Sequence, residues 1–173
     1  DLLNGLLLYS GNDNAVAIAD HIAGSTEKFA EMMNAEAKKL MATNSHFVNP
    51  SGLHDDNHYT TAYDLYLIFN ECIKHDDFVK IINSSSYTAH ITGADGTKRD
   101  VKWEPTNYYA KGEATPPDNV TIIGGKTGTT KGAGNCLILL TKDSSGNPYI
   151  SIIMGAGSKP LLYQDMTSML SKI

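Results

Sequence analysis

The sequence contains few of the residues that mark membrane-spanning, nucleic-acid-binding or metal-binding proteins. Its longest apolar runs, such as residues 6–9 and 136–140, are far shorter than the roughly 20 residues that a membrane-spanning helix requires. Only Arg99 among the 14 basic residues is an arginine, and the net charge is −5. No basic face for nucleic acid is therefore expected. The two cysteines, Cys72 and Cys136, lack metal-ligand spacing, and free thiols are favoured over a disulfide.

The first half of the chain has the pattern of helices. With 173 residues, 41% of them apolar and 19% charged, the chain has the composition of a soluble globular domain with its own core. Helices are predicted over residues 2–8, 14–23, 25–42, about 62–74 and 76–83. Asn12 or Asp13 is a natural N-cap for the second, and Thr60 or Thr61 for the fourth, with Asp64 completing a capping box.

The second half has the pattern of strands. Residues 86–92 and 97–104 flank a Gly-Ala-Asp-Gly turn, which predicts a hairpin. A loop is expected over 105–119, followed by strands at 120–128, 135–143 and 147–156. A final helix begins at Pro160, and its predicted apolar side contains Leu161, Leu162, Met166, Met169 and Leu170. The fold class is therefore α+β. We expect one partial domain over 1–173, mainly helical over 1–85 and built around a sheet over 86–173.

A lysine stands among small residues in the segment Gly-Gly-Lys-Thr-Gly-Thr-Thr at 124–130. A phosphate loop is disfavoured, because Val120 occupies the position where a Walker A motif has its first glycine. The glycines alone are also compatible with bulges at a sheet edge. A third interpretation is an acyl-transfer site, in which Lys126 supplies a positive charge, Thr127 a hydroxyl, and Gly128 room for a peptide strand along the edge.

A matching serine occurs near the start of the chain. Ser10 and Asn12 stand two apart on a predicted turn at a helix N-terminus, so both side chains can face one side. Ser10 can relay a proton, and the Asn12 amide can hold a neighbouring lysine and a substrate carbonyl. Penicillin-recognising serine enzymes combine Ser-x-x-Lys, Ser-Asp-Asn and Lys-Thr-Gly motifs. The sequence contains Ser-Gly-Asn and Lys-Thr-Gly in that order.

Three segments together resemble the low-molecular-mass penicillin-binding proteins, the D-alanyl-D-alanine carboxypeptidases of serine peptidase family S11. They are LLLYSGNDNAVAIADHIAGS, SHFVNPSGLHDDNHYTTAYDL and GGKTGTTKGAGNCL. The resemblance implies the β-lactamase/DD-peptidase fold, an antiparallel sheet between helices with a helical subdomain. It also implies removal of the terminal D-alanine from peptidoglycan stem peptides through an acyl-enzyme, outside the cytoplasm, and acylation by β-lactams. No cofactor or metal is implied.

Site residues follow from the same resemblance. Ser10, Asn12 and Lys126 are expected to be catalytic, and the backbone N–H of Thr129 to donate in the oxyanion hole. Family members often have a basic residue after the last strand that helps to bind the substrate carboxylate, and here Lys159 either serves so or is merely exposed. The expected substrate-binding residues are Lys126, Thr127, Gly128, Thr129 and Thr130.

The nucleophile motif is missing from its expected place, since only nine residues precede Ser10. The single Ser-x-x-Lys tetrad, at residues 25–28, follows Ser-Gly-Asn; there Ser25 has the position of an N-cap and Lys28 that of an exposed charge. The Ser-Gly-Asn at 145–147 has the position of a hairpin turn. We therefore expect a catalytic domain without its N-terminal, nucleophile-bearing part, inactive alone.

Three other expectations follow. A class A β-lactamase is disfavoured because no Glu-x-x-Leu-Asn-like segment is present, and a non-catalytic module that binds wall peptides stays open. Hydrogen bonding within a loop is favoured over metal binding for the histidines of 54–58. An uncovered sheet edge at residues 147–156 predicts strand pairing with another chain or with a companion N-terminal fragment.

Overall fold

The structure, a computed structural model, describes all 173 residues and has five helices before its first strand. These are α1 (Leu2–Leu7), α2 (Asn12–Ala23), α3 (Thr26–Lys39), α4 (Ala62–Cys72) and α5 (Asp76–Ile82). The later elements are β1 (Tyr87–Thr92), β2 (Lys98–Trp103), α6 (Tyr108–Lys111), β3 (Val120–Thr130), β4 (Gly134–Asp143), β5 (Pro148–Ala156) and α7 (Lys159–Leu170). The predicted α+β class is confirmed. None of the helices combines the length and apolar character needed to cross a bilayer.

Strands β3, β4 and β5 form an antiparallel sheet with β4 in the centre. Side chains of β4 alternate between two apolar layers. Leu137 and Leu139 pack with residues of α7, whereas Ile138 and Leu140 pack with Phe69 of α4 and with α5. Because both faces of β4 are covered by helices, its sequence is a continuous apolar run rather than an alternating one. Strands β3 and β5 are the two edges of the sheet.

The β1–β2 hairpin is a separate two-stranded sheet beside the end of α1. Its register pairs Tyr87 with Trp103 and Thr92 with Lys98. Ala89 and Trp103 bury Leu8, the residue that follows α1. The hairpin therefore fixes the position of the turn that carries Ser10, two residues further along the chain.

Two local predictions differ from the structure at chain reversals. Helix α2 begins at Asn12 with Gly11 as its N-cap, so neither Asn12 nor Asp13 caps it. Ser10 has a φ of 63°, and the N–H of Gly11 donates to the carbonyl of Gly5, which closes the corner between α1 and α2. The short helix α6 lies in a segment predicted as loop, capped by the side chain of Asn107.

Two side chains in other helices have roles that the local pattern did not predict. Leu161 is half exposed on α7, and Tyr163 is buried in its place. Thr61 caps α4 as predicted, accepting from the N–H of Asp64. The Asp64 carboxylate is not the second half of a capping box, because it accepts from the N–H of Asn44 and the hydroxyl of Ser45. The division into 1–85 and 86–173 stays a prediction.

Candidate active site

A cavity of about 620 Å³ lies between the start of α2 and the edge strand β3. One wall is the turn that carries Ser10, and the opposite wall is the second half of β3. The remaining lining comes from the end of α1, a loop before α4, residues around the start of α6, the β3–β4 turn with the start of β4, and the first turns of α7. The polar residues of the lining are Ser10, Asn12, Ser51, Thr106, Tyr108, Lys126, Thr127, Thr129, Thr130, Lys159 and Tyr163.

Ser10 and Lys126, 116 residues apart in sequence, are in direct contact across this cavity. The Lys126 ammonium donates to the Ser10 hydroxyl and to the carbonyl oxygen of Thr127, at 2.8 Å for the latter. Ser10 is half-buried and occupies the left-handed backbone region, which is uncommon for a residue other than glycine. This backbone conformation turns the Ser10 hydroxyl towards β3 at the point where α2 begins.

Burial changes the acid–base behaviour of Lys126. Loss of water around the ammonium lowers its pKa to about 8, from an ordinary value of 10.5. Lys126 and Lys159 are the two charged residues of the lining, and no aspartate or glutamate contributes to it. In a chain of net charge −5, this cavity is a local positive region. It suits an anionic group, which would restore some of the electrostatic stabilisation that Lys126 loses on burial.

The other predicted residues of β3 differ in what their side chains do. The Thr127 hydroxyl lies 2.6 Å from the hydroxyl of Thr106. Gly128 leaves an opening, because a Cβ there would meet only Cys136, at 3.9 Å. Thr129 is exposed on the edge, where its hydroxyl lies 3.4 Å from the side-chain oxygen of Asn135.

Thr130 and Asn12 are at the two ends of the predicted set. The Thr130 hydroxyl accepts from the N–H of Ala133 at 2.9 Å, so it shapes the turn between β3 and β4. Asn12 is exposed at the first position of α2 and is one of the residues that line the cavity. The structure therefore brings all seven predicted site residues to one cavity.

The two serine motifs that were not expected to be catalytic lie outside the cavity. The Ser25 hydroxyl caps α3 by accepting from the N–H of Lys28, whose side chain is exposed, and neither residue lines the cavity. Ser145 and Asn147 form the β4–β5 turn, where their N–H groups donate to Asp143. These two predictions are confirmed.

The two histidines of residues 54–58 make different contacts, and only His58 has a hydrogen bond within the loop before α4. The Nδ1 atom of His58 accepts from the N–H of Val48, and burial lowers the pKa of His58. His54 packs over Gly132, since a Cβ at that glycine would lie 2.7 Å from His54 Nδ1. This contact joins the loop of residues 50–52, which lines the cavity, to the β3–β4 turn.

Sequence reasoning missed an aromatic part of the lining. The rings of Tyr108 and Tyr163 stack with centroids 4.6 Å apart, and the Tyr163 hydroxyl accepts from the N–H of Tyr108. Burial raises the pKa of Tyr163 to about 12, so this hydroxyl stays protonated. The Nζ of Lys159 lies 5.5 Å from the centroid of the Tyr108 ring. No local pattern announces these contacts, because Tyr108 follows a loop and Tyr163 is an ordinary core position of α7.

The sequence model of the D-alanyl-D-alanine carboxypeptidase family, peptidase S11, matches residues 1–158. The chain belongs to this family. It is 31% identical to the D-alanyl-D-alanine carboxypeptidase DacF of Bacillus subtilis, over 98% of this chain and 41% of that protein. It is 34% identical to DacD of Escherichia coli, over 91% of this chain and 37% of that protein. The family predicted from the three sequence segments is confirmed.

Solved structures of DD-peptidases confirm the predicted fold. The DD-transpeptidase of Streptomyces K15, as its R248L mutant, has a TM-score of 0.87 at 30% identity, over 98% of this chain and 65% of that one. A D-alanyl-D-alanine carboxypeptidase from Mycobacterium tuberculosis has a TM-score of 0.80 at 27% identity, over 98% and 61%. The chain spans about two fifths of the length of DacF. The S11 fold is thus shown for this stretch.

Proposed function

We propose that this chain is the substrate-binding part of a serine-type D-Ala-D-Ala carboxypeptidase that trims peptidoglycan stem peptides through an acyl-enzyme. The observation that carries the proposal is the contact between Lys126 and Ser10 inside a cavity with two lysines and no carboxylate. A stem peptide that ends in a free carboxylate is an extended, anionic ligand. It matches both the charge of the cavity and the open edge of β3.

The substrate lies beside β3 in this proposal, with its terminal carboxylate near Lys126 and the Thr127 hydroxyl. Gly128 leaves room for the backbone of the terminal D-alanine. The backbone N–H of Thr129 donates to the carbonyl oxygen of the penultimate residue, where negative charge develops in the transition state. The Asn12 amide borders the same carbonyl from the α2 side, and Thr130 holds the β3–β4 turn in shape.

Ser10 acts as a proton relay. Its hydroxyl accepts one bond from Lys126, which leaves one lone pair and one proton for further bonds. When an attacking serine adds to the penultimate carbonyl, its proton passes to Ser10, and the Ser10 proton passes to the nitrogen of the leaving D-alanine. The bond to that D-alanine breaks, and water later cleaves the ester. β-Lactams acylate the same serine.

The Ser-x-x-Lys tetrad at residues 25–28 does not supply the attacking serine in this proposal. The one Ser-x-x-Lys tetrad of the chain lies on α3 with its serine acting as a helix cap, so it does not meet the requirement for a nucleophile in the cavity. Action on wall peptides places the enzyme outside the cytoplasm. The position of the Ser-x-x-Lys tetrad away from the cavity also favours a second candidate, a module that binds wall peptides without cleaving them.

Binding and cleavage separate the two candidates. In an NMR titration of the ¹⁵N-labelled chain, we expect N-acetyl-D-Ala-D-Ala with a free carboxylate to bind more tightly than its C-terminal amide. The all-L isomer serves as the stereochemical control. Lys126→Met is expected to abolish the preference for the carboxylate, whereas Lys28→Met, an exposed lysine on α3, keeps it. Equal binding of the acid and the amide by the unmodified chain contradicts the proposal.

Release of D-alanine by the full-length product of the gene, followed by chromatography, then tests the chemistry. Release that is blocked by penicillin supports the carboxypeptidase. Tight peptide binding with no release from that protein supports the non-catalytic module instead. A protein that releases L-alanine as readily as D-alanine contradicts both candidates.

A further inference from the structure

Thr106 connects the two halves of the proposed site. Its backbone N–H donates to the carbonyl of Leu8 at 3.3 Å, two residues before Ser10. Its hydroxyl lies 2.6 Å from the hydroxyl of Thr127, the neighbour of Lys126. Thr106 also lines the cavity. It therefore braces the turn on one wall against the strand on the other.

The two threonine hydroxyls have one proton more than their mutual hydrogen bond uses. Each hydroxyl has a single proton. Within the protein, the hydroxyls of Thr106 and Thr127 are hydrogen-bonded only to each other. One proton bridges the two oxygens, and the other is left to point away from the pair. Both oxygens belong to residues that line the cavity, so the spare O–H is available there. An anion in the cavity decides which threonine provides it.

We propose that Thr106 is a positioning residue that orients the Thr127 hydroxyl towards the substrate carboxylate. When Thr106 donates to Thr127, the Thr127 proton is released from the pair and is directed into the cavity beside the Lys126 ammonium. Donation in series also polarises the Thr127 hydroxyl and strengthens its bond to a negative acceptor. Without the Thr106 hydroxyl, Thr127 keeps its proton but loses the bond that fixes its direction.

This inference rests on the proposed function, because it requires a ligand with a terminal carboxylate. The measurement is the ratio of two dissociation constants, that of the N-acetyl-D-Ala-D-Ala amide divided by that of the free acid, by NMR titration at pH 7. A ratio isolates the carboxylate, since a general distortion of the cavity weakens both ligands equally. Thr106→Val is nearly isosteric and removes only the hydroxyl.

We expect Thr106→Val to lower the ratio by about two- to tenfold, the effect of one hydrogen bond. Thr127→Val is expected to lower it further, because the donor itself is lost. Thr106→Ser keeps a hydroxyl and is expected to restore the ratio to within about twofold. Thr121→Val is the matched control, an exposed threonine of the same strand outside the cavity, and is expected to change nothing.

The measured ratios test the proposed function and the role of Thr106 separately. If the unmodified chain binds acid and amide equally, the proposed function fails and the role of Thr106 fails with it. If the unmodified chain prefers the acid and Thr106→Val keeps the full preference, the role of Thr106 alone is overturned. The same holds if Thr106→Val weakens both ligands equally, because Thr106 is then only a structural brace. Should Thr106→Val fail to fold, a ratio for Thr106→Ala that matches the unmodified chain overturns the role.

Discussion

Lys126 makes the free energy of unfolding depend on pH in a defined interval. Its pKa is about 8 in the folded protein and 10.5 in an unfolded chain. Below pH 8 the side chain is protonated in both states. Between pH 8 and 10.5 the unfolded chain holds the proton more tightly, so raising the pH favours the folded state. The pKa difference corresponds to a gain of about 3 kcal/mol, which is complete above pH 10.5.

Replacing Lys126 by methionine removes this dependence and keeps most of the side-chain volume. Urea unfolding of both proteins at pH 7, 8, 9, 10 and 10.5 gives the difference in their free energies of unfolding. We expect this difference to move by about 3 kcal/mol in favour of the unmodified chain as the pH rises through the interval. At pH 7 the variant is expected to be at least as stable, because relief of the buried charge offsets the lost bonds to Ser10 and Thr127.

The exposed lysine Lys28 provides the control, and Lys28→Met is expected to follow the unmodified chain at every pH. Parallel stability curves for the unmodified chain and Lys126→Met would refute the reasoning. They would mean that Lys126 is as well hydrated in the folded protein as in the unfolded chain. The Lys126 ammonium would then lack, at neutral pH, the desolvation that makes it an effective binding group for an anion.

Three further predictions concern acylation, packing and the sheet edge. A fluorescent penicillin is expected to leave no covalent label on this chain in a denaturing gel. A label on Ser10 would contradict its role as a proton relay, and a label on Ser25 would contradict its role as the N-cap of α3. Gly125→Ala is expected to lower the free energy of unfolding, measured in urea, by about 1–3 kcal/mol, because the new Cβ would overlap the carbonyl oxygen of Ile138. Gly157→Ala is the control and is expected to be neutral, because a Cβ there would meet nothing within 4 Å. Light scattering is expected to show self-association of the chain through the β5 edge. Met154→Lys, at an exposed position of that strand, is expected to reduce this association. A chain that is monomeric at all concentrations would contradict the prediction.

The parts of the site that the sequence predicted are those with a local chemical pattern. Ser10 with Asn12, and Lys126 with its small neighbours, are recognisable because their spacing within a turn or a strand carries the chemistry. The order of helices and strands was predictable for the same reason, since apolar periodicity is local. The core of α7 was predicted only in part. Tyr163, three residues before Met166 and seven before Leu170, is buried on the core face and stacks on Tyr108, whereas the predicted Leu161 is half exposed.

The parts that could not be predicted depend on pairs of residues that are distant in sequence. Thr106 meets Thr127 only because the β1–β2 hairpin packs on Leu8 and delivers the following loop to the cavity. Asp64 has the spacing of a capping box, yet a better set of donors on Asn44 and Ser45 takes its carboxylate. In both cases a tertiary hydrogen bond decides the role of a side chain whose local sequence gave no sign of it.

The glycines around Lys126 have two separate functions that the sequence run conceals. A Cβ at Gly124 would overlap the carbonyl of Ile82, so this glycine lets the end of α5 approach the sheet. Gly125 allows the equally close approach of the β4 backbone. Gly128, in contrast, has almost nothing near its missing side chain, so its smallness serves the cavity. The first two glycines let α5 and β4 pack closely against β3 on either side of Lys126, and the third leaves space for the anion that the buried Lys126 ammonium attracts.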